Sequence, residues 1–341
     1  MPTTIKDIAR QAGVSHTTVS RALHNSPLLS VKTIQRIQKI AAELGYHPSF
    51  AARSLKTNRS QALGVIVSHI ADPFFSEILQ GIDDVAQANG YSLFIAAAQH
   101  DPQRESAIVQ SMREHSVDGV ILCSPQLPLE QSQQLKSFHI PIVAINNQSD
   151  EDYCFSIYHD DIDGGRQACE YLINLGHERI AYLGDASSGR TTRERLSGFR
   201  QVMAECGLPV LDEYIHQVNG NSAVQGFDAV EYFIKLPIKP TALICYNDML
   251  AIGIMKGFIQ AGINVPQDIS LTGFDNIQFS DFTLPPLTTI DQPKRFLGAE
   301  AARMMLAQLS STTFSMVSDP VTKRLKGMLL IRKSTAPPNH R

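Results

Sequence analysis

From residue 62 onward, apolar runs of strand length alternate with segments of helical periodicity, and this alternation admits few folds. Residues 63–67, 91–96, 119–123 and 142–145 form a first series, with amphipathic helices expected over about 75–88 and 102–115. A second series begins near residue 155, at 179–183, 214–218, 241–245 and 269–273. Strands that are apolar throughout are buried on both faces, and helices between them supply the cover of a parallel sheet. The repetition predicts two similar doubly wound lobes. Ligands in such sheets bind beyond the carboxyl ends of the strands, which here means the cleft between the lobes.

Polar residues gather just past those strands. They are Ser68, Asp72 and Phe74 after the first, Asn146 after the fourth, and Arg195 past Leu183-Gly184. Asn247 and Asp248 follow the run at 241–245, Asp275 follows Gly273, and His159 lies near the cleft. Carboxylates and carboxamides pair with hydroxyls, arginine offers a rigid fork, and an aromatic ring takes the apolar face of a sugar. A small polyhydroxylated ligand suits that set. Each residue taken alone also fits a helix cap or a loop hydrogen bond, Asn247-Asp248 in particular.

The first 60 residues have a different character. Ile5, Ile8, Ala9 and Ala12 share one helical face, and Thr4 with Asp7 fits a capping box. Gly13 stops that helix, and Ser15 caps a second one with Val19, Ala22 and Leu23 on its apolar face. Helix, tight turn and helix form a helix-turn-helix, which sets the start of the second helix in a DNA major groove. A third helix is expected after Ser30, burying Val31, Ile34, Ile37, Ile40, Ala41 and Leu44 before Gly45. Residues 1–60 hold nine Lys/Arg and two acidic residues, +7, in a chain of net charge −3, so the other 281 carry −10. A basic end on an acidic body suits phosphate binding.

Between head and body, Tyr46-His47-Pro48-Ser49 breaks the third helix. Residues 49–57 form a two-turn helical candidate, too short to fold alone. Paired in a dimer and pressed into a minor groove, such segments place Leu55 as a wedge between base pairs. The alternative is an inert tether. The expected divisions are 1–46 for the head and 47–60 for a linker with a hinge helix. The first lobe is expected over 61–160 with 292–320, and the second over 161–291 with 321–341.

Other classes find little support. At 43% hydrophobic and 18% charged residues the composition is that of a globular protein, without an apolar stretch of the ~18–20 residues a membrane span needs. The N-terminus lacks an apolar signal core, so a cytoplasmic location is expected. Five dispersed cysteines without a Cys-x-x-Cys pair read as reduced thiols. The stretch Gly184-Asp185-Ala186-Ser187-Ser188-Gly189-Arg190-Thr191 mimics a phosphate loop, but Arg190 stands where the lysine belongs. No catalytic set, metal ligand set or cofactor is expected.

Linked motifs run through the whole chain in one order. They include Thr4-Ile5-Lys6-Asp7-Ile8-Ala9, Thr18-Val19-Ser20-Arg21, Ala52-Arg53-Ser54-Leu55, Asp72-Pro73-Phe74-Phe75, Asn247-Asp248 and Gly273-Phe274-Asp275-Asn276. By these motifs the chain resembles the LacI-type (lactose/galactose repressor) family over nearly its full length. The resemblance implies a helix-turn-helix head on a two-lobed, periplasmic-binding-protein-like α/β body. It also implies a homodimer reading a near-palindromic DNA operator under a small-molecule effector, a sugar or sugar derivative. The alternatives are a purine or nucleoside effector, or a sugar-binding protein without a repressor role. His16, Thr17 and Arg21 match the family's base-reading positions, and Leu55 its minor-groove wedge. Thr4, Ser15, Thr18, Asn25, Ala52 and Lys56 complete the expected DNA-contacting set. Arg195, Asn247 and Asp275 match effector-holding positions, while Phe74, Asn146 and Gln292 match positions lining the same cleft. Asn221 stands where many members carry an aromatic, which implies an effector with less apolar face. The C-terminal segment lacks leucine heptads, so a dimer rather than a tetramer is expected.

Arg21→Ala is predicted to reduce discrimination between operator and random DNA by about 1–3 kcal/mol, the worth of a bidentate contact to a guanine edge. Competition binding on the two duplexes measures it, and an equal loss on both removes Arg21 from base reading.

Overall fold

The structure, a computed structural model, describes residues 3–23, 25–46, 59–126, 140–148, 153, 155–310 and 321–339. The chain divides into two units, Met1–Ser60 and Gln61–Arg341. The expected hinge helix, with Ala52, Leu55 and Lys56, falls outside the described residues.

In the first unit, helices Ile5–Ala12, His16–Leu23 and Val31–Glu43 enclose Ile8, Ala9, Ala12, Val19, Ala22, Ile37 and Ala41. The starts follow from side-chain chemistry. The Asp7 carboxylate accepts from the Thr4 amide at 3.0 Å and the Thr4 hydroxyl at 2.6 Å. Ser15 Oγ accepts from the Thr18 amide, and Ser30 Oγ from the Thr33 amide. Gly13 takes φ +66°, which ends the first helix and turns the chain. Val31 corrects the expected third-helix stripe: it is 70% exposed, because the first turn of that helix extends beyond the small core.

The second unit holds strands β1 Ala62–Val67, β2 Ser92–Ala97, β3 Gly119–Cys123, β4 Ile142–Ile145, β5 Phe155–His159 and β6 Ile180–Asp185. They are followed by β7 Ile215–Val218, β8 Ala242–Cys245, β9 Ser270–Asp275, β10 Thr288–Asp291, β11 Val321–Leu325 and β12 Met328–Leu330. One sheet has the order β11-β5-β4-β3-β1-β2 and the other β12-β10-β9-β8-β6-β7. All pairings are parallel except β10–β12. These are the two wound lobes, with β1, β3, β6, β8 and β9 buried along their whole length. Among the described residues no helix is long and apolar enough to cross a membrane.

The chain passes between lobes three times, after β5, after β10 and between β11 and β12. The passes touch. A Cβ on Gly327 would lie 2.5 Å from both the Asp291 carbonyl oxygen and His159 Nε2. The third pass corrects the expected boundary that gave 321–341 to the second lobe. Val321–Leu325 pairs in parallel register with β5 and belongs to the first sheet, and only the segment from β12 onward returns to the second. The helix Lys294–Ser310 packs on Phe74–Ala88 in the first lobe.

Three helix pairs owe their closeness to reciprocal glycines. Gly81 faces the Arg295 carbonyl while Gly298 faces that of Ile78. Gly165 and Gly198 do the same to Arg195 and Ile162, and Gly226 and Gly253 to Leu250 and Ala223. Each added Cβ would sit 2.0–2.3 Å from a backbone oxygen, which cannot move without its helix. Gly198→Ala is therefore expected to destabilise the body by about 1–3 kcal/mol, the usual cost of overpacking. Calorimetric melting tests this, and an unchanged midpoint would mean the helices are not in contact.

Candidate functional site

Between the two sheets, at the carboxyl ends of their strands, lies a cavity that opens to solvent. Eight expected residues line it: Ser68, Asp72, Phe74, Asn146, Arg195, Asn221, Asn247 and Asp275. His100, Ser124, Asn146 and Asp275 in its wall have φ of +55°, +57°, +48° and +108°. Non-glycine residues in this region carry a cost of order 1–3 kcal/mol each, and such strain concentrates where a ligand is gripped.

Arg195, on the helix Gly189–Glu205, is the cation of the site. Its Nε donates to Asp161 Oδ1 at 2.8 Å and its Nη1 to the Tyr246 carbonyl at 2.5 Å, while Nη2 lies 3.5 Å from Asp275 Oδ1. The guanidinium lies 3.6 Å from the centroid of the Phe274 ring and 4.7 Å from that of Tyr246. Its side chain is 5% exposed, and a charge held out of water needs a counter-charge, which the Asp161 carboxylate supplies at 2.8 Å. Burial drives the Asp161 carboxyl upward, but the Arg195 charge and the His159 hydrogen bond outweigh it and leave Asp161 below the usual carboxylate range. For Asp275 burial wins, and its carboxyl lies well above that range despite Arg195.

Other candidates are engaged by the protein itself. Asn247 Oδ1 accepts from the Leu250 amide, capping the helix Asp248–Gln260, and its amide donates to the Asn221 carbonyl. Asn146 Oδ1 accepts from the His159 amide. Asp248, with Oδ1 on the Thr289 hydroxyl and Oδ2 on the Ile277 amide, packs beneath the cavity wall. Asp72 Oδ1 accepts from the Phe74 amide, and burial raises its carboxyl.

Two expected residues do not line the cavity. His159 is wholly buried at the first lobe crossing, edge-on to Phe274, with Nδ1 3.4 Å from Asp161 Oδ1. Gln292 is buried behind Asp275, donating to its Oδ1 at 2.7 Å. Residues beside the crossovers turn into the hinge, whereas those beyond free strand ends face the cleft. Phe75, His100, Ser124, Gln148, Ser188, Thr191 and Tyr246 also line the cavity and were not anticipated. Ser124 and Tyr246 directly follow β3 and β8, so the strand-end rule applied at every position points to both. Gln148 crosses from the first lobe: its amide donates to Thr191 Oγ1, its Oε1 accepts from the Thr191 amide, and its carbonyl accepts from the Arg190 amide.

In the head, Ser15, His16, Thr17, Arg21 and Asn25 are exposed around the second helix, Thr18 is half-buried, and Thr4 is exposed at the start of the first. Thr4, Ser15 and Thr18 also serve the caps, and Asn25 accepts from Gln38. His16, Thr17 and Arg21 occupy the N-terminal half of the second helix and its next turn, as a groove-reading helix requires.

Two family models match the chain. Residues 4–49 match "Bacterial regulatory proteins, lacI family", and residues 60–323 match "Periplasmic binding proteins and sugar binding domain of LacI family". The chain belongs to the LacI family. It is a DNA-binding transcriptional repressor with a small-molecule-binding body. The HTH-type transcriptional repressor CytR of Escherichia coli strain K12 is 36% identical over 307 residues, 90% of this chain and 89% of that one. PurR of Vibrio parahaemolyticus is 35% identical over 309 residues, 90% and 92% of the two chains. Among solved structures, the lac repressor dimer bound to operator and the anti-inducer ONPF superposes with a TM-score of 0.86. It is 28% identical and covers 98% of this chain and 100% of its own. A LacI-family regulator from Enterococcus faecium with bound ribose is 26% identical, with a TM-score of 0.71 over 81% of this chain and 99% of its own.

Arg195→Met strands Asp161 and Asp275 as unpaired buried carboxyls and is expected to cost about 3–5 kcal/mol. Its pH signature is also defined. With its carboxyl depressed in the folded state, Asp161 contributes stability above the unfolded value of about 3.9 and loses it as pH falls through the folded value. Without Arg195 only the His159 contact opposes burial, so the Asp161 carboxyl moves upward and the stability it contributes above the carboxylate range shrinks or reverses sign. Denaturant titrations across pH 3–7, on the order of the carboxylate range, read both effects, and parallel curves would remove Arg195 from the pair.

Proposed function

We propose that this LacI-family repressor acts in the cytoplasm as a homodimer on a near-palindromic operator, and that a hydroxyl-bearing effector, a sugar or a sugar-containing molecule, controls its hold on DNA. The observation that carries the effector reading is the cavity itself: Asp72, Asp275, Asn146, Asn221 and aromatic rings at the ends of strands from both lobes, four of its lining residues in strained backbone. A ligand bridging two lobes changes their relative population of arrangements by its differential affinity for them. The exposed second-helix residues and the +7 charge of residues 1–60 support the DNA role. Phe279, Phe282 and Leu284, exposed by 47%, 83% and 84% within one short loop, offer apolar surface to a second copy. The role is regulatory rather than catalytic.

The test is selection of bound genomic fragments by the intact protein, followed by binding titrations over salt. An operator with two half-sites and a log–log salt slope near that of ~6–10 phosphate contacts is expected. Asp275→Ala is expected to keep operator affinity within about twofold while losing the effector response. A slope near zero refutes the DNA reading, and a retained response removes Asp275 from the site.

A further inference from the structure

Effectors with the hydroxyl chemistry proposed above come in two electrostatic kinds, free and phosphorylated, and the cavity holds three features that separate them. First, its cation is already spent. Arg195 has Asp161 at 2.8 Å and Asp275 at 3.5 Å, and a third carboxylate, Asp72, lines the same space. Among the described residues lining the cavity Arg195 is the only Arg or Lys, against Asp72 and Asp275. His100, the histidine of the wall, is shifted toward its neutral form, chiefly by burial and further by His69.

Second, the natural anion seat is occupied. The helix Gly189–Glu205 begins at the cavity, with Ser188 and Thr191 in the wall, and it follows the loop that resembles a phosphate cradle. A helix start of this kind binds phosphate through free amides. Here the Ser187 amide donates to Asp185 Oδ1, the Arg190 amide to the Gln148 carbonyl and the Thr191 amide to Gln148 Oε1. Gln148 from the facing lobe thus fills the position a phosphate would take.

Third, the nearest further cations are tied down. Arg190 is bonded to Glu194, and buried Lys294 donates to the carbonyls of Asp275 and Asn276 and lies 3.3 Å from Glu77.

From these contacts, and resting on the effector reading of the preceding subsection, we infer that the cavity selects an uncharged hydroxyl-bearing ligand, a free sugar or nucleoside, and rejects its phosphate ester. The carboxyl groups and carboxamides bond hydroxyls without demanding a charged partner, and a phosphate dianion finds the cation and the helix-start amides already engaged.

The test is isothermal titration of the intact protein with matched pairs: ribose and ribose 5-phosphate, glucose and glucose 6-phosphate, adenosine and adenosine monophosphate, with inorganic phosphate alone as a further probe. The expected result is heat from the neutral member of at least one pair, at least 100-fold weaker binding of its ester, and none from inorganic phosphate. Asp72→Asn, which removes one carboxylate at a half-exposed position, is expected to narrow that gap at least tenfold. An ester that binds as tightly as its neutral partner overturns the inference and leaves the hydroxyl-ligand reading standing. If no member of any pair binds, the hydroxyl-ligand reading falls and this inference falls with it.

Discussion

The buried contact between Arg195 and Asp161 is the constraint on which the rest of the body depends. A guanidinium removed from water must have carboxylates beside it, and the chain supplies them from two distant places. Asp161 opens the helix that follows the first lobe crossing, and Asp275 ends β9. Arg195 reaches both because its helix lies against Asp161–Asn174 at glycine distance, with Gly165 directly on the Arg195 carbonyl. Buried pairs of this kind contribute little net stability compared with apolar packing. What this one contributes is position: it fixes the first crossover, one wall of the cavity and the rings of Phe274 and Tyr246 by a single demand for charge balance.

The strained strand ends follow the same logic. Ser124, Asn146 and Asp275 each leave a parallel strand in the left-handed region, so the chain turns sharply and its side chains stay at the mouth of the sheet. A relaxed exit would carry them past the cleft. The stability lost at these positions is offset by the fully apolar cores on either side, where strands such as β1 and β8 expose nothing. Gln148 adds a hydrogen-bonded link across the cleft that belongs to neither core, beside the packing at the chain crossings.

Much of this was legible in the sequence. The capping box at Thr4 and Asp7, the stop at Gly13 and the apolar runs of β1, β3 and β8 are local signals, and local chemistry decides them. Ser68, Asn146, Asn247 and Asp275 were legible for a related reason, since they sit at strand ends, whereas Arg195 lies in the second turn of a helix and Asn221 follows from the family resemblance. The failures are equally physical. β11, Val-Thr-Lys-Arg-Leu, is an exposed edge strand whose polar residues hide its period, and it was assigned to the wrong lobe. His159 and Gln292 lie beside crossovers, where direction is set by how three passes of chain meet, a relation without a local signature. Arg195 lines the cavity as expected, but its carboxylate partners lie 34 and 80 positions away in sequence, beyond what spacing reveals.

The placement of β11 has a consequence for how the protein is made. Its partner strand β5 lies 166 residues earlier. As the chain leaves the ribosome, the central strands of both sheets can assemble in order. The edge of the first sheet stays unpaired until Val321–Leu325 has emerged. Long-range closures of this kind are slow, and an unpaired edge is an invitation to wrong partners. The polar, charged face of Val321–Leu325 suits a strand that waits in solvent. Until it docks, the lobes are joined by two passes of chain instead of three, and the newborn protein has its cores before it has its hinge.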